Sequence, residues 1–281
     1  MKQILVISGK GGTGKTILTG AFAAIAKNHV MVDCDVDAAD LHLLLSPTVM
    51  KRTPFRSGKT AVLDQDLCSR CGQCAQICRY GAISRDFVID PIACEGCSFC
   101  SHVCPTGAIS MEENECGLWF VSDTRFGPLV HAKLGIAEEN SGKLVSLVRQ
   151  QAKELAEKEQ KDWVIIDGPP GIGCPVIASL SGVDCAVVVT EPSLSGLHDA
   201  VRVIDVARHF KVLVKLVINK YDLNEEVSEH IQAYCDQNAI PILGKIPFDK
   251  AIVEAMVQGK TVMEHVNGTI QKQVERIWNN L

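Results

Sequence analysis

Apolar residues fall in short continuous runs separated by longer stretches of helical period. The run Ile4-Leu5-Val6-Ile7 reads as a buried strand, followed by a Gly-rich loop and an Ala-rich helix over 14–28. A second run, His29-Val30-Met31-Val32, predicts a strand ending in Asp33-Cys34-Asp35-Val36-Asp37, then a short helix over 38–45 closed by Ser46-Pro47. Strand, helix and strand in this order begin a parallel α/β sheet. From 48 to 114 the rhythm breaks into turns, cysteines and short apolar runs. It resumes with a strand over 118–121, a helix over 143–158, and buried strands over 163–166 and 185–190. A helix over 195–209, a strand over 212–219, a helix over 224–235, a strand ending at Ile246 and closing helices from Lys250 and Val262 complete the pattern. The fold class expected is α/β: a doubly wound, mostly parallel sheet spanning 1–59 and 115–281, interrupted by an inserted α+β domain over 60–114.

Composition changes this picture little. The 281 residues can bury a full core, and 47% hydrophobic with 22% charged residues is ordinary for a globular chain. A net charge of -5 argues against nucleic acid or an anionic membrane as the main partner. The chain begins at once with a strand and has no apolar run long enough to span a bilayer, so a cytoplasmic protein is expected. The C-terminal stripe Ile270, Val274, Ile277, Trp278 and Leu281 has few Lys or Arg opposite it, which predicts a core-packing helix and no membrane anchor. His131 and the 138–143 stretch are polar segments after the insert that could contact it or a partner, or be a surface loop and an N-capped helix.

The first loop carries specific chemistry. Gly9-Lys10-Gly11-Gly12-Thr13-Gly14-Lys15-Thr16 fits the phosphate-binding pattern G-x-x-x-x-G-K-[ST] between a strand and a helix. Glycines let backbone N–H groups turn toward phosphate oxygens. Lys15 is expected to reach the β- and γ-phosphates, and Thr16 to ligate Mg²⁺.

Thirteen cysteines in such a chain point to metal rather than disulfides. Cys68, Cys71, Cys74 and Cys78 have the spacing C-x₂-C-x₂-C-x₃-C, and Cys94, Cys97, Cys100 and Cys104 repeat it, with Pro105 following. The surroundings repeat as well: Cys78-Arg79-Tyr80-Gly81-Ala82-Ile83 parallels Cys104-Pro105-Thr106-Gly107-Ala108-Ile109. This is the run of a bacterial two-cluster ferredoxin, whose fourth Cys ligates the other cluster. One [4Fe–4S] cluster would take Cys68, Cys71, Cys74 and Cys104, and the second Cys78, Cys94, Cys97 and Cys100. Structural zinc, weighed against this, uses separated pairs of ligands and fits the spacing poorly. Cys34, Cys116, Cys174, Cys185 and Cys235 read as ordinary buried thiols.

The string K-G-G-T-G-K-T, with Lys10 before the glycine pair, resembles the deviant phosphate-binding signature of the MinD/ParA ATPases, a family that also holds the nitrogenase iron protein. The resemblance implies an ATP-dependent homodimer in which Lys10 reaches the partner's nucleotide. It implies Mg²⁺ near Thr16, Asp33 and Asp167, and a water oriented by Asp35, so that Lys10, Lys15 and Asp35 carry catalysis. Helix N-capping is the alternative for Asp33 and Asp35. Asp167-Gly168-Pro169-Pro170-Gly171 resembles the family's metal-bearing switch, and Asn219 with the Pro247-Phe248-Asp249 loop its base-contacting residues; Asn219 could equally cap a turn.

Taken together, the expected function is MgATP hydrolysis that gates electron transfer from two [4Fe–4S] clusters to a redox or metalloprotein partner. The alternatives are an assembly or delivery factor for metal centres, and a MinD/ParA-like positioning ATPase with structural or redox-sensing clusters.

Overall fold

The computed structural model describes residues 1–135, 141–265 and 268–281. They part into two compact units. One comprises Met1–Thr53, Leu118–Leu134 and Ser141–Leu281; the other comprises Pro54–Gly117 with a short segment starting at Gly135.

The larger unit is built on strands β1 (Lys2–Ser8), β2 (His29–Asp33), β5 (Gly127–Leu134), β6 (Trp163–Pro170), β7 (Cys185–Thr190), β8 (Leu213–Asn219) and β9 (Ile242–Ile246). β3 (Thr48–Leu63) and β4 (Ile109–Thr124) carry the chain from this unit into the other and back. The sheet order is β3-β4-β5-β2-β6-β1-β7-β8-β9, and β5-β2-β6-β1-β7-β8-β9 are joined by parallel pairings. This is the α/β architecture with a mostly parallel sheet that the pattern predicts. Helices α1 (Lys15–Ile25), α2 (Leu41–Leu45), α5 (Ser141–Lys158), α6 (Cys174–Leu180), α7 (Leu194–His209), α8 (Glu225–Gln237), α9 (Lys250–Val257), α10 (Val262–His265) and α11 (Thr269–Asn279) complete the unit. Strands buried on both faces need continuous apolar runs, and β1, β2 and β7 have them.

The core between α1, α11 and the sheet joins Ile4, Leu18, Phe22, Met31, Ile165, Val187, Val217, Val274 and Ile277. Trp278 rests against Phe22 and Trp163, both at 5.2 Å between ring centroids. The apolar stripe of α11 is thus spent on this core.

The smaller unit holds α3 (Gln73–Ile77) and α4 (Phe99–Val103). Its core is slight: Ala61, Cys74, Ile83, Cys100 and Ile109, with Cys78, Cys94 and Cys104 packed against them. Its halves repeat in backbone as in sequence. Arg70 and Gly96, Gly72 and Ser98, and Gly81 and Gly107 all take positive φ, pair by pair.

Several expectations are corrected. The stretch 48–114 is bounded by two strands of 16 residues each, β3 and β4. β3 escapes the pattern because most of its side chains face solvent, whereas of β4 only the part over 118–121 is expected from the sequence. His131 is buried inside β5, and is no part of a surface loop. The helix expected from residue 38 begins at Leu41. Cys174 is exposed at the start of α6, whereas Cys34, Cys116, Cys185 and Cys235 are buried. Of the polar stretch 138–143, residues 138–140 lie outside the described residues.

Candidate nucleotide site

Parallel strands all present their carboxyl ends at one edge, and in open α/β sheets ligands bind there. β1 delivers Ser8 and the loop, β2 delivers Asp33, β6 delivers Asp167, β7 delivers Thr190 and β8 delivers Asn219. The register sets Asp33 opposite Asp167.

The loop geometry requires its glycines. Gly12 and Gly14 have φ of 79° and 93°, a region that L side chains rarely adopt. A Cβ on Gly9 would overlap the backbone of Asp199 in α7, while Gly11 and Gly12 face open space. The loop is strapped from the β8 end: the Asn219 side-chain amide donates to the Thr13 carbonyl at 2.7 Å, and Lys220 Nζ donates to the Gly12 carbonyl at 3.0 Å.

Beneath the loop, Lys15 Nζ lies 3.2 Å from Asp167 Oδ1, 3.2 Å from Thr16 Oγ1 and 3.6 Å from Asp35 Oδ2. Burial pulls the Lys15 pKa down, but Asp167, Asp35 and Asp33 pull harder, and it ends above the ordinary lysine value. The carboxylates rise as well. Burial, then repulsion from Asp167, pushes Asp33 well above the usual carboxylate range despite Lys15. Asp35 is raised too, burial outweighing the attraction of Lys15. The shared upward direction has one cause: three carboxylates crowd one ammonium in a buried place, so every group there favours its protonated form.

That excess of carboxylates over ammonium fits a hard divalent cation. Thr16 Oγ1, Asp35 Oδ2 and Asp167 Oδ1 already converge on the Lys15 ammonium. Asp167 Oδ2 is buried without a hydrogen-bond partner, as is Thr13 Oγ1. The oxygens of Asp33 are differently engaged: Oδ1 accepts from the Asp35 N–H at 3.0 Å and Oδ2 from the Leu41 N–H at 3.1 Å. Asp33 therefore shapes the segment that carries Asp35.

Gly11 to Thr16, Ser8, Asp35, Asp37, Asp40, Lys220 and Phe248 line one cavity of about 740 Å³, with Leu43, Val253 and Met256 on its apolar side. That volume accommodates a nucleotide-sized ligand. Gly9, Lys10, Asn219, Pro247 and Asp249 do not line it. Asp249 instead caps α9, accepting from the Ala251 N–H at 2.8 Å. Lys10 Nζ is held at 2.7 Å by Glu191 Oε1, with the Ser193 and Ser195 hydroxyls at 3.3 and 3.2 Å. Lys220 binds the other oxygen of Glu191 at 3.0 Å. Burial raises the Glu191 pKa, and the hydrogen bonds from Lys10 and Lys220 overcome it, so the carboxyl titrates below its ordinary value.

Three of these residues escape motif reading. Thr19 places its hydroxyl 3.0 Å from Asp167 Oδ1. It stands one helical turn after Lys15, the only sequence signal it has. Glu191 directly follows a buried strand, as Asp35 and Asp167 stand at strand ends, and that signal was legible. Lys220 was visible only as the neighbour of Asn219.

In the smaller unit, Cys68, Cys71, Cys74 and Cys104 line one pocket, together with Ser69 and Thr106. Cys78, Cys94, Cys97 and Cys100 line another, with Tyr80 and Glu95. Among the described residues no three His, Cys, Asp or Glu side chains converge as a single-ion site. A Zn²⁺ at about 2.3 Å from each sulfur would need such convergence.

Comparison with known proteins follows this geometry. Residues 4–262 match the model of the CobQ/CobB/MinD/ParA nucleotide-binding domain. An uncharacterised protein of Methanocaldococcus jannaschii is 33% identical over 282 residues, 99% of this chain and 96% of that one. The septum site-determining protein MinD of Synechocystis is 25% identical over 276 residues, covering 94% of this chain and 82% of its own. Among solved structures, MinD of Pyrococcus horikoshii complexed with Mg-ADP superposes with a TM-score of 0.60 at 18% identity, over 99% of this chain and 95% of that one.

Proposed function

This chain belongs to the CobQ/CobB/MinD/ParA nucleotide-binding family as a P-loop ATPase, and on that premise we propose that it is a MgATP-driven dimeric switch of the MinD/ParA kind. The relatives with a described role include the septum site-determining protein MinD, which supports this reading better than ATP-gated electron transfer. The observation that carries it is the meeting of Thr16, Asp35 and Asp167 on the Lys15 ammonium beneath the glycine loop.

In this reading the backbone N–H groups of Gly11 to Thr16 cradle the phosphates, and Lys15 neutralises their charge. Thr16 and Asp167 hold Mg²⁺, directly or through its waters, and Thr19 fixes the Asp167 carboxylate. Asp33 keeps the Asp35 segment in place, and Asp35 orients the attacking water. Phe248 offers the base an apolar edge beside the cavity. Phosphoryl transfer then needs positioning and charge neutralisation, which these residues supply. Lys10 leaves Glu191 to reach the nucleotide of a second protomer.

The test is sedimentation and ATPase turnover of the full chain. MgATP should convert monomer to dimer; Lys15→Ala should lose about 100-fold in turnover, and Lys10→Ala should retain nucleotide binding while losing hydrolysis. A wild-type chain that stays monomeric with MgATP and releases no phosphate overturns the proposal.

A second reading concerns the smaller unit, and the two cysteine-lined pockets favour it. The region 60–114 is a ferredoxin-like insertion whose thiolates hold two [4Fe–4S] clusters, in the pairing Cys68/Cys71/Cys74/Cys104 and Cys78/Cys94/Cys97/Cys100. Such clusters supply one-electron redox capacity and cross-link a small fold. With them, ATP-gated electron transfer to a redox partner, a kinship with the nitrogenase iron protein, and delivery of a metal centre are further forms of the same ATP switch. Anaerobically purified protein should carry about eight irons and eight sulfides per chain; zinc without sulfide would refute the assignment.

A further inference from the structure

The duplicated halves of the smaller unit have matching backbones, so their side-chain differences can be compared position by position. Gly81 N–H points to the Cys78 carbonyl at 3.4 Å, and Gly107 N–H to the Cys104 carbonyl at 3.3 Å. The two glycines have φ of 63° and 68°. Within this shared turn, the residue two places after the cysteine is Tyr80 in one half and Thr106 in the other.

The Thr106 hydroxyl lies 3.6 Å from Cys104 Sγ, within hydrogen-bond range for sulfur. A thiolate ligand has no proton to give, so the hydroxyl is the donor. Tyr80 is half exposed at the rim of the other pocket, and among the described residues no hydrogen bond from it to Cys78 Sγ corresponds to that of Thr106. A second difference points the same way. The residue after the first cysteine of each run is Ser69 in one pocket and Glu95 in the other. A carboxylate beside a site disfavours added negative charge, and a hydrogen bond to sulfur favours it.

Resting on the two-cluster reading, we propose that Thr106 and Glu95 make the two sites electronically unequal. The Cys68/Cys71/Cys74/Cys104 site takes the first electron, and the Cys78/Cys94/Cys97/Cys100 site takes the second at lower potential. Each site gains one electron, from dithionite in the test below, with no bond made or broken. The first site is then the resting place of a single electron in this chain.

The experiment is an anaerobic potentiometric titration of the full-length, iron-loaded protein, followed by electron paramagnetic resonance. Wild type should show two separated one-electron steps. Thr106→Val should weaken the upper step about tenfold in its reduction equilibrium, equal to a 59 mV fall, while Thr106→Ser keeps it. Glu95→Gln should raise the lower step alone. Coincident steps in wild type overturn the proposal, as does a fully iron-loaded Thr106→Val with both steps unmoved. If Thr106→Val fails to load iron, Glu95→Gln decides alone: an unmoved lower step overturns the proposal. Wild-type protein with no sulfide refutes the cluster reading itself, an outcome separate from equal potentials.

Discussion

His29 and His131 are imidazoles held inside a sheet. Burial, opposed by the nearby Ala26 backbone and helped by Lys161, lowers the His29 pKa to about 4, with both ring nitrogens buried and unpartnered. Burial, with electrostatic repulsion from neighbouring His42, lowers the His131 pKa to about 4. His131 stacks on Phe120 at 4.9 Å and on His42 at 6.1 Å, and its Nε2 is 3.0 Å from the Ser122 hydroxyl. An unfolded chain protonates these rings near 6.5, so between that pH and about 4 it binds more protons than the folded one. Stability should therefore be full above pH 6.5 and fall as the pH drops toward 4, by up to about 3 kcal/mol for each ring. Urea titrations at pH 7 and 4.5 measure this, and His131→Phe should flatten part of the slope; an unchanged slope would exclude His131 as a source. The Lys15 cluster differs, because its carboxylates and ammonium offset one another. Asp167 was legible there as a strand-end acid, whereas Thr19 was not, since a threonine inside a helix has no signature until the sheet brings Asp167 beside it.

Most helices and strands with an apolar side were recovered, but β5 and α6, each partly buried, were not. α11 shows what that pattern determines. Ile270, Val274 and Ile277 recur at helical spacing and all are buried. Ile277 Cγ1 sits where a Cβ on Gly244 of β9 would fall, so helix and strand approach closely through that glycine. Ile277→Ala should cost about 2–5 kcal/mol, read as a lowered urea midpoint with unchanged slope; a loss under 0.5 kcal/mol would mean that α11 is not part of the cooperative core. β3 and β4 show the opposite case. β3 is mostly exposed and β4 shows an apolar run only over 118–121, so pairing in the sheet, more than pattern, makes their full length strand. Glu191 likewise acquires its partners, Lys10 and Lys220, from the adjacency of β1, β7 and β8.

The two units of the chain differ in what holds them. The larger has an extended core, in which Leu5, Ile7, Phe22, Met31, Leu129 and Ile165 are fully buried. The smaller has a core cluster of only five buried residues, two of them cysteines, too small for a unit of its size to stand on burial alone. Its order should depend on what the thiols bind. Removal of iron by chelator should open 54–117 to protease, while nucleotide binding by the larger unit persists because every residue lining its cavity lies within that unit. Protease resistance of 54–117 without iron would contradict this.

The amino-acid sequence alone determined the α/β class, the phosphate loop, the acids after the strands and the duplication of the cysteine runs. Each is local: a run of neighbours, a fixed spacing, or a residue type that a turn demands. Tertiary structure alone decided that Lys10 rests on Glu191, that Asn219 and Lys220 strap the loop, that Asp33 holds backbone, and that Thr106 reaches Cys104 where Tyr80 does not reach Cys78. The first two join residues nearly 180 or more positions apart, brought within hydrogen-bond distance by strand order. The last two are short in sequence but depend on the direction a side chain leaves its turn. No period or motif encodes either kind of proximity; both follow from how buried strands pair and turns aim their side chains.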